Sequence, residues 1–107
     1  MSIDKNLISG NTGMLILQLL SEKDMYGYEM IENLKQKSNH VFDLKAGTLY
    51  PLLHGLESKG YLCSYEERIG AKPRKYYSLT NKGKKLLVEK IEDWDNYKNA
   101  VQHILGG

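Results

Sequence analysis

Apolar and polar positions alternate along this chain in patterns that separate its elements. Between residues 7 and 22 the apolar side chains Leu7, Ile8, Met14, Leu15, Ile16, Leu17, Leu19 and Leu20 leave no wide hydrophilic face, which predicts a largely buried helix. "KDMYG" then reads as a turn. "YGYEMIENLKQKS" puts Gly27, Met30, Ile31 and Leu34 at i, i+3, i+4 and i+7, a second helix in which Gly27 permits close approach of another backbone. "NHVFDL" is a short apolar link with extended character. After it, "KAGTLYPLLHGLESKG" repeats the helical spacing with Leu49, Leu52, Leu53 and Leu56. The opposite side of this third helix carries Gly47, Tyr50, Pro51, His54 and Ser58. Solvated faces usually collect Glu and Lys, so an aromatic, small and neutral face points to a contact surface.

Two helices joined by a short connection suggest a helix-turn-helix. Proline is tolerated in the first turn of a helix, where its missing N–H has no partner to lose, so Pro51 implies a start at Thr48 or just before it, with Gly47 easing the turn. Gly60 stands where a left-handed C-terminal cap belongs, after Lys59. "YLCSYEE" and "RKYYSL" are rich in aromatic and extended-chain formers, and "RIGAKP" between them holds the turn residues Gly70 and Pro73. A hairpin with a basic tip follows, with Tyr77 rather than Tyr76 facing the core. Thr80 caps a last helix reaching residue 105, on which Leu87, Ile91, Trp94, Val101 and Leu105 recur every three or four residues once Lys98 is spanned, flanked by Leu86, Tyr97 and Ile104. That stripe extends past a completed domain and asks for a second chain. The fold expected is mainly α with a small β-hairpin: a winged helix-turn-helix over residues 1–80, its N-terminal helix helping the dimer, then a dimerisation helix over 81–107.

Composition narrows the class. At 107 residues, 41% hydrophobic and 26% charged, the chain has the make-up of one soluble domain. Residues 1–10 lack the basic and apolar regions of a signal peptide, and a cytoplasmic location is expected. One cysteine, Cys63, cannot form an internal disulfide and reads as a strand residue. His40, His54 and His103 lack ligand spacing, so neither metal nor cofactor is expected. No nucleophile has a matched base, no carboxylate pair stands out and no phosphate-cradling glycine loop occurs, so the chain does not read as an enzyme. The net charge of +2 conceals a run from residue 68 to 85 with seven cations (Arg68, Lys72, Arg74, Lys75, Lys82, Lys84, Lys85) and no carboxylate. Such a segment is either a solvated basic loop or a polyanion site.

The runs "GTLYPLLHGLESKGYL" and "RKYYSLTNKGKKLL", with the Thr-Leu-Tyr-Pro core and the closing Tyr-x-Leu-Thr-x-x-Gly, resemble the signature of the PadR family of bacterial transcriptional regulators. "MYGYEM" in the second helix agrees, and the single short C-terminal helix is similar to the small subfamily typified by multidrug-responsive repressors. Gly55 departs from the pattern, which often has a basic residue there. The resemblance implies a homodimer on a pseudo-palindromic operator, one recognition helix per half-site with the wings flanking, and an effector pocket of aromatic walls at the dimer axis.

The residues suit that chemistry. Base edges and thymine methyls need side chains at the front of an exposed helix, and phosphates need cations beside it. Lys45, Thr48, Tyr50, Pro51 and His54 are the candidates on the third helix, and Lys72, Arg74 and Lys75 those on the wing. Tyr50 can equally cover the edge of the core, and Thr48 can serve only as a cap. Trp94 is the candidate lining residue for a planar hydrophobic effector that would release a repressor, or else simple packing. A winged-helix module for protein contacts, its wing merely solvated, is the alternative function.

Overall fold

The computed structural model describes residues 5–106, with side chains from residue 11 onward except that of Ile69. The Leu7 and Ile8 side chains and the segment read for a signal peptide lie outside the described ones. The chain runs α1 (Lys5–Glu22), β1 (Met25–Tyr26), α2 (Gly27–Lys37), α3 (Ala46–Ser58), β2 (Leu62–Ile69), β3 (Lys72–Leu79) and α4 (Asn81–Ile104). No helix among these residues is long and apolar enough to cross a membrane.

One core holds these elements together. Ile16, Leu17, Leu19 and Leu20 of α1, Met30 and Leu34 of α2, and Leu49, Leu53 and Leu56 of α3 meet Met25, Leu62 and Tyr77 of the sheet and Leu87 of α4. A fully buried leucine contributes roughly 1.5–3 kcal/mol, so the paired Leu49 and Leu53, both at 0% exposure, are enough to hold α3 in place despite its proline. Tyr77 is the inward tyrosine, at 1% exposure.

The turns and element ends depart from expectation in several places. The "KDMYG" turn contains a strand, because Met25 and Tyr26 pair with Tyr77 and Tyr76 and make the sheet three-stranded in the order β1-β3-β2. The start of the α2–α3 link is a turn rather than extended chain: Asn39 and His40 take left-handed backbones (φ 52° and 68°), and Ser38 Oγ bridges the Leu34 carbonyl and the Phe42 N–H. Helix α3 starts at Ala46 with Lys45 as N-cap and no side-chain cap bond, so Thr48 is not the cap and Pro51 lies in the second turn. Pro51 therefore withholds an N–H from the Gly47 carbonyl, a loss of about 3 kcal/mol in a free helix that the buried leucines on the other side offset. The hairpin turn is tighter than "RIGAKP": Ile69 pairs with Lys72, leaving only Gly70 and Ala71 to turn, with Gly70 at φ 70°.

The helix ends follow local rules. Tyr61 N–H donates to the Leu56 carbonyl and Gly60 N–H to the Glu57 carbonyl, with Gly60 at φ 84°, a Schellman end to α3. Thr80 Oγ1 accepts from Gly83 N–H at 3.0 Å and caps α4. Gly83 allows α4 to start against the hairpin, since a Cβ there would run into the Tyr61 carbonyl oxygen.

Beyond these first turns α4 leaves the body. The molecule measures 56 × 32 × 21 Å, and its radius of gyration of 15.2 Å exceeds the roughly 13 Å of a compact chain of this length. Leu87, expected in the dimer stripe, belongs to the protomer's own core because the start of α4 packs on α1 and β3. The unpartnered stripe thus begins further along. Val88, Ile91, Trp94, Tyr97, Ile104 and Leu105 are exposed and Val101 is partly covered.

Candidate nucleic-acid interface

The leucines of α3 turn inward, so helical geometry turns Thr48, Pro51, His54 and Ser58 to solvent. Lys45, just before the helix, is also exposed and lies 3.6 Å from Asp43. Tyr50 takes an intermediate place. Its ring packs against the rim of the core, its hydroxyl lies where a Cβ on Gly27 would be, and its centroid is 6.4 Å from that of His54. Burial, followed by the neighbouring Tyr77 and Tyr28, pushes the Tyr50 phenol above its ordinary pKa, so it stays neutral at any physiological pH. Gly27 does permit a close approach, but of this ring and not of another backbone.

Because β1 covers β3 only at Tyr76 and Tyr77, the edge of β3 over residues 72–75 is unpaired among the described residues. It faces the start of α2 across a groove of about 470 Å3 lined by Tyr26, Gly27, Tyr28, Tyr50 and residues 72–75. The groove brings Tyr50 of α3 together with Lys72, Arg74 and Lys75 of the wing; Thr48, Pro51 and His54 lie on the exposed face of α3 outside it.

The wing is less basic than its sequence suggests, and its aromatic rings interlock. The Arg74 guanidinium lies 4.5 Å from the Tyr26 ring centroid, Tyr26 meets Tyr76 edge-on, and Tyr76 stacks on Tyr65 at 5.8 Å. Tyr65 Oη donates to Asp24 Oδ2 at 2.7 Å, and this bond is the main cause that pushes its pKa up to about 12. Antiparallel register sets Glu66 opposite Lys75 and Glu67 opposite Arg74. Over residues 66–75 the four cations therefore exceed the carboxylates by only two. Lys82 belongs to a different site: its Nζ donates to the Lys59 carbonyl at 2.6 Å, at the negative end of α3, and lies 4.8 Å from the Tyr61 ring centroid.

Tyr26, Tyr28 and Glu57 were not among the candidates from sequence. The two tyrosines flank Gly27 in "MYGYEM", a motif that stood out without showing which way its rings turn. Glu57 stands at a helix end with no local signal of the strands it reaches. Trp94 and Tyr97 form an exposed pair on α4, with ring centroids 6.2 Å apart.

Three helices with a β-wing and a basic, aromatic groove beside the exposed third helix define a winged helix-turn-helix of the kind that docks on DNA. The model of the transcriptional regulator PadR-like family matches residues 16–89, and the chain belongs to that family. It is a transcriptional regulator, in a family of regulators rather than enzymes. The transcriptional regulator Rv3488 of Mycobacterium tuberculosis is 30% identical over 92 residues, 86% of this chain and 80% of its own. Among solved structures, a transcriptional regulator from Clostridium thermocellum superposes with a TM-score of 0.88 at 35% identity, covering 94% of this chain and 96% of that one. A PadR family regulator from Eggerthella lenta gives 0.81 at 38% identity, covering 94% and 87%.

Proposed function

We propose that the protein is a cytoplasmic repressor that binds a pseudo-palindromic operator as a homodimer. Its DNA-binding unit is residues 1–80, and α4 with the rest of 81–107 carries the dimer contact. The observation that carries this reading is the groove of Tyr26, Tyr28, Tyr50, Lys72, Arg74 and Lys75, in which Tyr50 of α3 lies beside His54 of the exposed helix face. One surface offers base-reading side chains in its middle and cations at its side, the division of labour that specific DNA binding requires. Lys45, Thr48, Tyr50, Pro51 and His54 enter the major groove while Lys72, Arg74 and Lys75 follow the backbone. The apolar stripe of Ile91, Trp94, Val101 and Leu105 on the projecting helix joins two protomers and sets the recognition helices about one DNA turn apart. Trp94, 37% exposed beside Tyr97, then lines a site for a planar hydrophobic effector that releases the operator.

Fluorescence anisotropy against the chain's own upstream DNA tests this. Tyr50→Ala should cost about 1–3 kcal/mol on the operator and much less on random duplex. Arg74→Ala should weaken both alike and flatten the salt dependence by about 0.9 unit of slope. A wild-type chain that does not distinguish its upstream DNA from random duplex refutes the proposal. For the effector, planar aromatics should quench Trp94 saturably and lower operator affinity in the wild type, while Trp94→Ala loses that release from the operator and stays a folded dimer; no quenching, together with loss of the dimer in that variant, returns Trp94 to packing.

A further inference from the structure

Helix α3 contains a single carboxylate, Glu57, in its last turn, where the helix dipole disfavours a negative charge. The side chain turns from the exposed face toward the wing. Its Oε2 accepts from Ser64 Oγ on β2 at 2.5 Å, and its Oε1 lies 3.8 Å from Lys75 Nζ on β3. Glu57 is therefore a two-pronged link from the recognition helix to both strands of the wing. Lys75, the cation it reaches, also lies over the Tyr77 ring at 5.4 Å, on the inner side of the ribbon. Arg74, next to it in sequence, lies on the outer side over Tyr26. Each of these two candidate phosphate contacts lies over a tyrosine ring and stands opposite a β2 glutamate in the register, and Lys75 alone of the two also meets a carboxylate from the recognition helix.

We infer that Glu57 is a positioning residue for DNA recognition: it fixes the wing relative to the recognition helix and holds the Lys75 charge back from polyanions. This rests on the DNA-binding reading above and deepens it. A cation already matched by a carboxylate gains little from a phosphate, because meeting the phosphate means leaving the first partner. Random DNA, lacking the base contacts that would repay that exchange, is therefore bound less tightly than the wing's cations alone would allow. Glu57 thereby raises the ratio of operator to non-specific affinity, while Lys72 and Arg74 supply most of the salt-dependent attraction.

Glu57→Gln separates the two prongs, since the amide oxygen still accepts from Ser64 while the charge facing Lys75 is gone. With the full-length chain, anisotropy against its upstream duplex and a random duplex across a salt series should show random-duplex affinity up several-fold. The slope of log affinity against log salt should steepen by about 0.9, the increment for one added phosphate contact. On random duplex, Lys75→Gln should change the wild-type slope by well under that increment yet remove all of the gain in the Glu57→Gln background. A Glu57→Gln chain with unchanged or weaker random-duplex binding and an unchanged slope overturns the inference. If circular dichroism shows that this variant does not fold, Lys75→Gln alone decides: a loss of the full ~0.9 unit on random duplex means Lys75 was already free, and the inference fails. Wild-type protein that binds neither duplex removes the DNA-binding reading as well, whereas salt-dependent binding indifferent to Glu57 removes only this one.

Discussion

Replacing Gly27 by alanine should move Tyr50, and the size of the effect follows from the packing. A Cβ on Gly27 would overlap the Tyr50 hydroxyl and lie 2.7 Å from its Cζ and 3.1 Å from its Cε1. Overpacking of this kind costs about 1–3 kcal/mol. Against it, alanine is a better helix residue than glycine by up to about 1 kcal/mol at this first position of α2. The net change in stability is a loss of about 0–3 kcal/mol, too wide a range to decide anything alone. A double-mutant cycle removes the ambiguity, because the helix-propensity gain is common to both backgrounds and cancels. Gly27→Ala should destabilise the wild type but be neutral or stabilising in a Tyr50→Ala background, with a coupling of about 1–3 kcal/mol. Urea unfolding followed by circular dichroism measures all four corners. Operator affinity measured on the folded Gly27→Ala protein should fall together with the displaced ring, while affinity for random duplex stays near wild type. If Gly27→Ala has the same effect in both backgrounds to within about 0.5 kcal/mol, the ring is free to move and Gly27 does not position it.

Other consequences can be checked separately. The Tyr77 hydroxyl is buried with no hydrogen-bond partner among the described residues, so Tyr77→Phe should raise stability by roughly 1 kcal/mol in the same urea assay; a loss would mean that the hydroxyl is satisfied. Tyr65 is held neutral by its bond to Asp24, with its pKa raised from 10.0 to about 12, so the stability it adds is complete below pH 10 and is lost as pH rises through about 12. The gap in unfolding midpoint between wild type and Tyr65→Phe should therefore narrow across that window, and a constant gap would argue against the bond. Ile91→Asp, on the exposed part of the α4 stripe, should convert dimers to folded monomers by sedimentation, and a wild type already monomeric at micromolar concentration would refute the dimer.

What could be read from the sequence alone is what neighbours along the chain decide. Helical spacing exposed the buried faces of α2 and α3, Thr80 and Gly60 marked helix ends through bonds spanning a few residues, and the alternation of Tyr76 and Tyr77 chose the inward ring. Contiguous motifs, "GTLYPLLHGLESKGYL" above all, carried the family. Tertiary structure decided the rest, because it depends on which distant residues share a surface. The two-residue strand at Met25 and Tyr26 exists only through its pairing with β3 and has no local signal of its own. Pro51 could move into the second turn because the core on the far side of α3 holds that helix in place. Leu87 and Ile91 are equally apolar and one turn apart, yet one fills the core and the other is exposed, since only the first turns of α4 lie against the body. The strength of the wing's charge was decided last of all. A run free of carboxylates becomes a ribbon in which Glu66 and Glu67 stand opposite Lys75 and Arg74, and Glu57 reaches over from the recognition helix, because hairpin register and helix docking, not sequence distance, set which charges are neighbours.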